Sequence, residues 1–592
     1  LNMKKLLLIL SAILVSVISL GESLDPNSGW PHLNPFAYDL KSEVKSDGTI
    51  DLIFSLNANA VPSDGGGKTY EKLNENRGVQ IYILDEHENV VRTIPVPSDK
   101  INKGTHTINL NYDDIPETYW GKPLHWKVTV WGNKGRTEQK QILNYSAINA
   151  ASNFYPKNVH GIAIEKNPAN PHFGKIFITE SAETTKTGRN SLLEYDMQLK
   201  YKARHHKDFL DHVESYFSAT VDYEPHRVKI SDDGRIFVTS YHTSAGVSIF
   251  EYMGNGEFRT IITCGSGWYL YNNDANSLQY SRRAIDMDVR GSGKDLKMIV
   301  AWMIPKYQQK SNAWHARIVV KEYSIGTGNL NINPSTGIDV AIFDDRDSGS
   351  GYKGWLFQAY EGAWQMAKHG FIGVTYDTDG DIWMKIDYAM GAGWLGEIRL
   401  FKRGSTSPYY SFYQAQHTGD TPSQIYGANG IRIIKEKGKE KYTLITGYDT
   451  DKFQKFTINN KNSNPVLTLQ GTYTQNGDGS NRIVGMAEDY AGNLYFLNNR
   501  GDQANDDNVV VFAMPYDGKR ETTSQGTFVI GNPTPNILAT DLRFAPIPNQ
   551  PKYRFSFNVN TKPAVAQIRF YKSYGDNGEN DMKKNLAKIN AD

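Results

Sequence analysis

The feature that most constrains this chain is a unit that recurs six times. The aligned stretches are HGIAIEKNPANPHFGKIFITES from His160, HRVKISDDGRIFVTSY from His226 and RAIDMDVRGSGKDLKMIVAW from Arg283. They continue with HGFIGVTYDTDGDIWMKI from His369, NGIRIIKEKGKEKYTLITGY from Asn429 and RIVGMAEDYAGNLYFLNN from Arg482. Each runs from a polar residue through an apolar strand and a turn rich in Asp, Gly or Lys to a second apolar strand. Most are followed by a third strand with an aromatic residue, such as SLLEYDM from Ser191, GVSIFEYM from Gly246 or NVVVFAMP from Asn508. The starts lie 66, 57, 86, 60 and 53 residues apart. Regular recurrence of three or four strands per unit is the pattern of propeller blades. A sheet with two apolar faces cannot hide both alone, so such units stack around an axis until the ring closes. The expectation is an all-β chain built on a six-bladed β-propeller. The widest interval is assigned to an insertion near Pro334–Gly362. The closing strand is expected either from Gly526–Gly531 or from the segment before Tyr155.

Upstream, Ile50–Ala60 alternates with Leu52, Phe54 and Leu56 on one face, and Gly78–Ile94 reads as a hairpin turning at Glu86–Asn89. With two further short strands at Gly104–Ile115 and His125–Gly132, this predicts a β-sandwich. Lys552–Gly575 echoes the same pattern and reads as the start of a second such module. The expected domains are a signal peptide at 1–21, an Ig-like sandwich at 22–149, the propeller at 150–531, and a linker with a partial second Ig-like module at 532–592. The phrase VQIYILDEHENVVRTI…GTHTI resembles the Ig-like domain of the flagellar-hook-capping type. That resemblance implies a spacer or packing module. HGIAI…GKIFITES…SLLEYD and MAEDYAGNLYFLNNRGD…VVVFAMP resemble the NHL and gluconolactonase-like six-bladed propellers. Where the gluconolactonase-like enzymes place Glu, Asn and Asp on a divalent ion, this chain shows Arg and His, so the resemblance speaks for fold and not for lactonase chemistry.

Lys4 and Lys5, the apolar run Leu6–Leu20 and the small residues Ser19 and Gly21 read as a bacterial secretory signal, which predicts an extracytoplasmic location: secreted, periplasmic or cell-surface. The run is too short for a transmembrane segment, and no later one qualifies. Lys and Arg number 65 against 64 Asp and Glu, so nothing in the charge points to nucleic acid. The one cysteine, Cys264, excludes an internal disulfide and a thiolate metal cluster.

In a propeller the first strand of each blade lines the channel, so its leading residues are the candidates for the channel mouth: His160, His226, Arg283, His369, Asn429 and Arg482. Three imidazoles from His160, His226 and His369 could hold a divalent metal, and Arg283 and Arg482 could grip an anionic group. The competing reading is that these groups bond neighbouring blades and channel water. Acidic turns at Ser231–Arg235, Asp377–Asp381 and Asp344–Gly351 could bind Ca²⁺, but Asp and Gly are also what such turns need for their geometry. Trp268, Trp355, Trp364 and Trp394 lie in aromatic, loop-like stretches that suit sugar rings and equally suit packing against blade ends. The expectation is an exported, non-catalytic binding or scaffold protein needing no cofactor, whose propeller face engages a glycan or an extracellular protein. The alternative is a metal-dependent hydrolase or lyase at the channel mouth.

Overall fold

The computed structural model describes residues 33–60, 78–132, 139–144, 159–180, 191–205, 224–241, 248–263, 283–308, 313–328, 331–344, 372–388, 395–413, 431–435, 442–448, 452–474, 482–499, 508–514, 517–530, 539–546, 553–559, 565–568 and 587–590. The protein is all-β, and its chain divides into two units, 1–34 with 135–516 and 35–134 with 517–592. No helix among the described residues is long and apolar enough to cross a membrane.

Among the described residues, the larger unit holds six four-stranded antiparallel sheets. In the first five, strands follow chain order: Val159–Ile164, Lys175–Glu180, Ser191–Asp196 and Tyr201–His205 make the first. The second begins with Glu224–Ile230, the third with Arg283–Arg290, the fourth with Ile372–Tyr376 and the fifth with Ile431–Lys435. The sixth combines Arg482–Glu488, Leu494–Asn499 and Asn508–Ala513 with Gln139–Asn144, which pairs antiparallel to Asn508–Ala513. The last sheet therefore takes its outer strand from the segment before Tyr155. Gly526–Gly531 goes elsewhere: Phe528–Val529 pairs with Leu124 and Pro123 in the smaller unit.

Alternation explains why the sheets pack. Along Ile236–Tyr241, Ile236 and Val238 join a core with Phe177 and Leu192 of the first sheet, while Phe237 joins Met287, Met298 and Trp302 of the third. Successive residues of a strand face opposite ways, so one apolar run feeds two interfaces. Burying each such side chain contributes about 1.5–3 kcal/mol. First strands touch in sequence, first sheet to second, second to third and onward to the sixth, and the sixth touches the first. The turns after the first strands are stitched by polar bonds. Lys166 pairs with Glu488 at 2.9 Å, Asn170 donates to the Asp232 carbonyl, and the Gly291 and Gly293 amides donate to the carboxylates of Asp232 and Asp233.

The smaller unit sets Ala37–Val44, Ile50–Leu56 and Gly104–Leu110 in one sheet. Lys519–Thr523, Pro123–Trp131, Val79–Leu84 and Val90–Pro95 make another. Leu52, Phe54 and Leu56 meet Ile81, Ile83, Trp126 and Val128 in one core, where the Trp126 indole donates to Ser42 Oγ at 2.9 Å. Farther on, Ala539–Pro546 pairs with Tyr553–Val559, and Val565–Ile568 with Ala587–Asn590.

Candidate functional site

The first strands are irregular near their starts. Register shifts fall between Val159 and Gly161, Pro225 and Val228, Ala284 and Asp286, and Ile483 and Gly485. Such bulges re-aim side chains out of the ladder. His160 lies within the first bulge, and His226 and Arg227 within the second. A Cβ at Gly161 would lie 2.8 Å from the His226 carbonyl oxygen and 2.9 Å from the Val228 nitrogen, so only glycine lets these two strands approach so closely. The result is a tilted pair of imidazoles, His160 and His226, with ring centroids 5.1 Å apart. Both are buried, at 0% and 1% exposure.

Charged groups not singled out in the sequence analysis lie on the same and neighbouring strands. The Arg227 guanidinium donates to the carbonyls of His160 and, at 2.6 Å, Val484, and its Nε lies 3.5 Å from Asp286. It therefore ties first strands of the first, second, third and sixth sheets. Burial lowers the Arg227 pKa, with Asp286 opposing, and burial raises that of Asp286 against Lys229 and Arg227. Asp286 accepts the Val374 amide at 2.8 Å, which extends the tie to the fourth sheet. Glu180 ends the second strand of the first sheet, opposite Val159. It is fully buried, and accepts from Ser191 Oγ at 3.2 Å and Arg204 at 3.1 Å. The available signals were a charged residue directly after His226 and a glutamate closing the apolar run IFITE.

Of the six leading residues, the structure brings His160 and His226 together. Arg283 and Arg482 begin the first strands of the third and sixth sheets, and their side chains lie outside the described residues. His369, Asn429, Trp268, Trp355, Trp364 and Trp394 also lie outside the described residues.

A second polar centre lies between the first and second sheets. His205 Nε2 is 3.1 Å from Glu194, Lys175 is 2.9 Å from the same carboxylate, and Tyr252 Oη is 3.2 Å from the His205 ring nitrogens. Burial pushes Glu194 upward, but hydrogen bonds from His205 and Lys175 overcome it and hold the carboxyl at about 2. Burial, then Glu194, pushes Tyr252 up to about 12, and burial takes His172 down to about 4.

In Ser231–Arg235 the Ser231 amide donates to the Arg235 carbonyl at 2.9 Å, and the Arg235 amide to Ser231 Oγ at 3.0 Å. Among the described residues, Asp377, Asp379 and Asp381 gather ligand oxygens within 4.8 Å of one another. Of Asp344–Gly351, all beyond Asp344 lies outside the described residues.

No family profile and no curated protein matches the chain. Among solved structures, it is similar to the GH93 alpha-L-arabinofuranosidase of Fusarium graminearum in complex with arabinobiose. The identity is 9%, the match covers 60% of this chain and 92% of that one, and the TM-score is 0.36. It is also similar to native Bacillus subtilis arabinanase Arb43A, at 11% identity over 46% of this chain and 89% of that one with a TM-score of 0.26. A third is the polysaccharide lyase Uly1, at 12% identity over 64% and 99% with a TM-score of 0.32. Where the sequence leads to an expectation of a non-catalytic binding or scaffold protein, these three similar structures bear the names of two hydrolases and a polysaccharide lyase.

Proposed function

We propose that this chain is an exported enzyme that cleaves a glycan, by hydrolysis or by elimination, at the bulged starts of the first strands. In this reading the six sheets are the blades of a propeller of the NHL and gluconolactonase-like kind, and the smaller unit is an Ig-like module that carries no chemistry. The observation that carries it is the meeting of His160 and His226, from two different sheets, with centroids 5.1 Å apart. An imidazole exchanges protons near neutral pH, and both glycosidic hydrolysis and elimination need one group to take a proton and another to give one. Glu180, in register with Val159 at the end of the adjoining strand, is the carboxylate this reading puts forward. Metal-assisted cleavage is the second reading: His160 and His226 supply two imidazoles, and His369 would supply the third. An ion held there would act as a Lewis acid on the glycosidic oxygen or its water.

The test is incubation of the purified protein with arabinans and with uronate-containing polysaccharides, following reducing ends for hydrolysis and ultraviolet absorbance of unsaturated products for elimination. His160→Ala and His226→Ala are expected to lose roughly 10²–10⁴-fold in rate at a temperature where circular dichroism shows each variant still folded, the cavity at these buried positions lowering the melting temperature as well. His172→Ala, at the other polar centre, should retain activity. Cleavage of none of these polymers, or full activity in both variants, overturns the reading. Metal content of the active protein, measured by mass spectrometry, separates the two versions.

A further inference from the structure

The third sheet departs from the other five in length. Its second and third strands, Lys297–Gln308 and Ala313–Ser324, have 12 residues each, where those of the other sheets have 6–8. They pair without a register shift from Lys297 opposite Ser324 to Gln308 opposite Ala313. Among the described residues, the first strand of this sheet pairs no farther than Arg283 opposite Met303, and the fourth no farther than Asp344 opposite Arg317. Ile304–Gln308 and Ala313–Ala316 therefore run on as a two-stranded ribbon, about 17 Å long at about 3.4 Å per residue. The ribbon leaves the sheet at the end where the first strand starts. His160 and His226 stand near the same ends of the first and second sheets. Pro305 follows shortly after the last pair with the first strand. A proline has no amide to give a ladder and belongs where a strand has become an edge, so its place here suits a ribbon that takes on no further strand.

Alternation assigns the two faces of the ribbon. Met298, Val300 and Trp302 pack with Phe237, Ile249 and Ile261 of the second sheet. Even-numbered positions of this strand, and the residues opposite them, belong to that face. With the register unbroken, the ribbon's positions on the second-sheet face are Ile304 with Arg317, Lys306 with His315, and Gln308 with Ala313. The other face takes Pro305 with Ala316 and Tyr307 with Trp314, the latter an aromatic cross-strand pair of the kind that stabilises a two-stranded ladder. The basic positions thus fall on the side of the sheet that carries His226, and the sequence has no carboxylate between Asp295 and Glu322. A positive face beside a site draws in anions, and guanidinium and ammonium groups form their strongest hydrogen bonds with carboxylates. Building on the glycan-cleaving role proposed above, we propose that this ribbon is the substrate arm of that site and that the substrate is a uronate-containing polysaccharide, its carboxylates held by Lys306, His315 and Arg317. A neutral arabinan lacks the charges that this face answers.

Calorimetric titration of the full chain with polygalacturonate, with its methyl ester and with linear arabinan tests this, because esterification removes the charge and keeps the sugar backbone. Wild type should bind polygalacturonate at least about tenfold tighter than either neutral polymer, and that margin should shrink as sodium chloride rises to about 0.5 M. Lys306→Ala combined with Arg317→Ala should lower the affinity for polygalacturonate by about 10–100-fold. Equal wild-type affinity for the acid and its ester, or a double variant that binds the acid as wild type does, overturns the proposal. Should the double variant fail to fold, the acid and ester titrations of wild type and of Lys306→Ala decide in the same way. The arm and the cleavage separate cleanly. Binding of polygalacturonate without cleavage of any polymer leaves the arm standing and removes the catalytic role, whereas cleavage of arabinan without binding of polygalacturonate does the reverse.

Discussion

Arg227 offers the sharpest test of how the larger unit holds together. Its guanidinium bonds the His160 carbonyl of the first sheet and the Val484 carbonyl of the sixth, and faces Asp286 of the third from the second. Arg227→Met keeps much of the apolar stem but removes every donor. Each buried carbonyl deprived of its donor costs about 1–3 kcal/mol. Breaking a buried charge pair from one side costs about 3–5 kcal/mol, because the other charge stays behind uncompensated. These costs overlap, since one guanidinium answers all three acceptors, so about 4 kcal/mol is expected, or close to three decades in the folding equilibrium. Urea unfolding, read by circular dichroism and tryptophan fluorescence, measures it. Arg227→Met combined with Asp286→Asn should recover about 1–2 kcal/mol, because the neutral amide oxygen still accepts the Val374 amide while no bare charge remains. A loss below about 1 kcal/mol in the single variant would show that the guanidinium is not what ties the sheets. A double variant no more stable than the single one would remove Asp286 from the account.

Three further outcomes follow from the same structure. Asp489 is buried, and burial raises its carboxyl to about 7 against hydrogen bonds from Asn493 and Ala491. The folded state therefore keeps a proton that the unfolded chain gives up near pH 4, and stability should fall by about 1.4 kcal/mol per pH unit as pH rises from there to about 7. Urea midpoints across that range should show the slope, and Asp489→Asn should flatten it; an unchanged slope refutes the assignment. Glu194 has the opposite sign: its lowered carboxyl stabilises the fold above its ordinary range, and that contribution should be lost as pH falls toward 2, with Glu194→Gln insensitive there. Gly161→Ala should cost about 1–3 kcal/mol by driving a methyl into the backbone at His226 and Val228, and a neutral result would mean the two strands separate freely.

The strands were legible because they are local. IFITE, IFVTS and LYFLNN each alternate or run apolar over a length only a strand uses, and the Asp–Gly turns between them have few other conformations open. The paired imidazoles were half legible: the sequence marked His160 and His226 as leading residues of adjacent units, but the one-residue bulges that aim them together follow from the pairing of neighbouring strands. Arg227 and Glu180 were passed over for a related reason. A charge within an apolar strand declares its purpose only when its acceptors are in place, and those of Arg227 lie 67 and 257 residues away.

The amino-acid pattern alone determined that the chain is all-β and that it is built of repeated sheets with two greasy faces, since alternation and turn chemistry act over a few residues. Tertiary structure decided which strand completes the sixth sheet and that functional-looking acids at Asp377–Asp381 are answered by Lys461. Both are meetings of groups far apart in sequence. Two candidate segments could each have supplied that outer strand, and nothing in either one's own residues ranks it; only the position to which the rest of the chain carries Gln139–Asn144 does so.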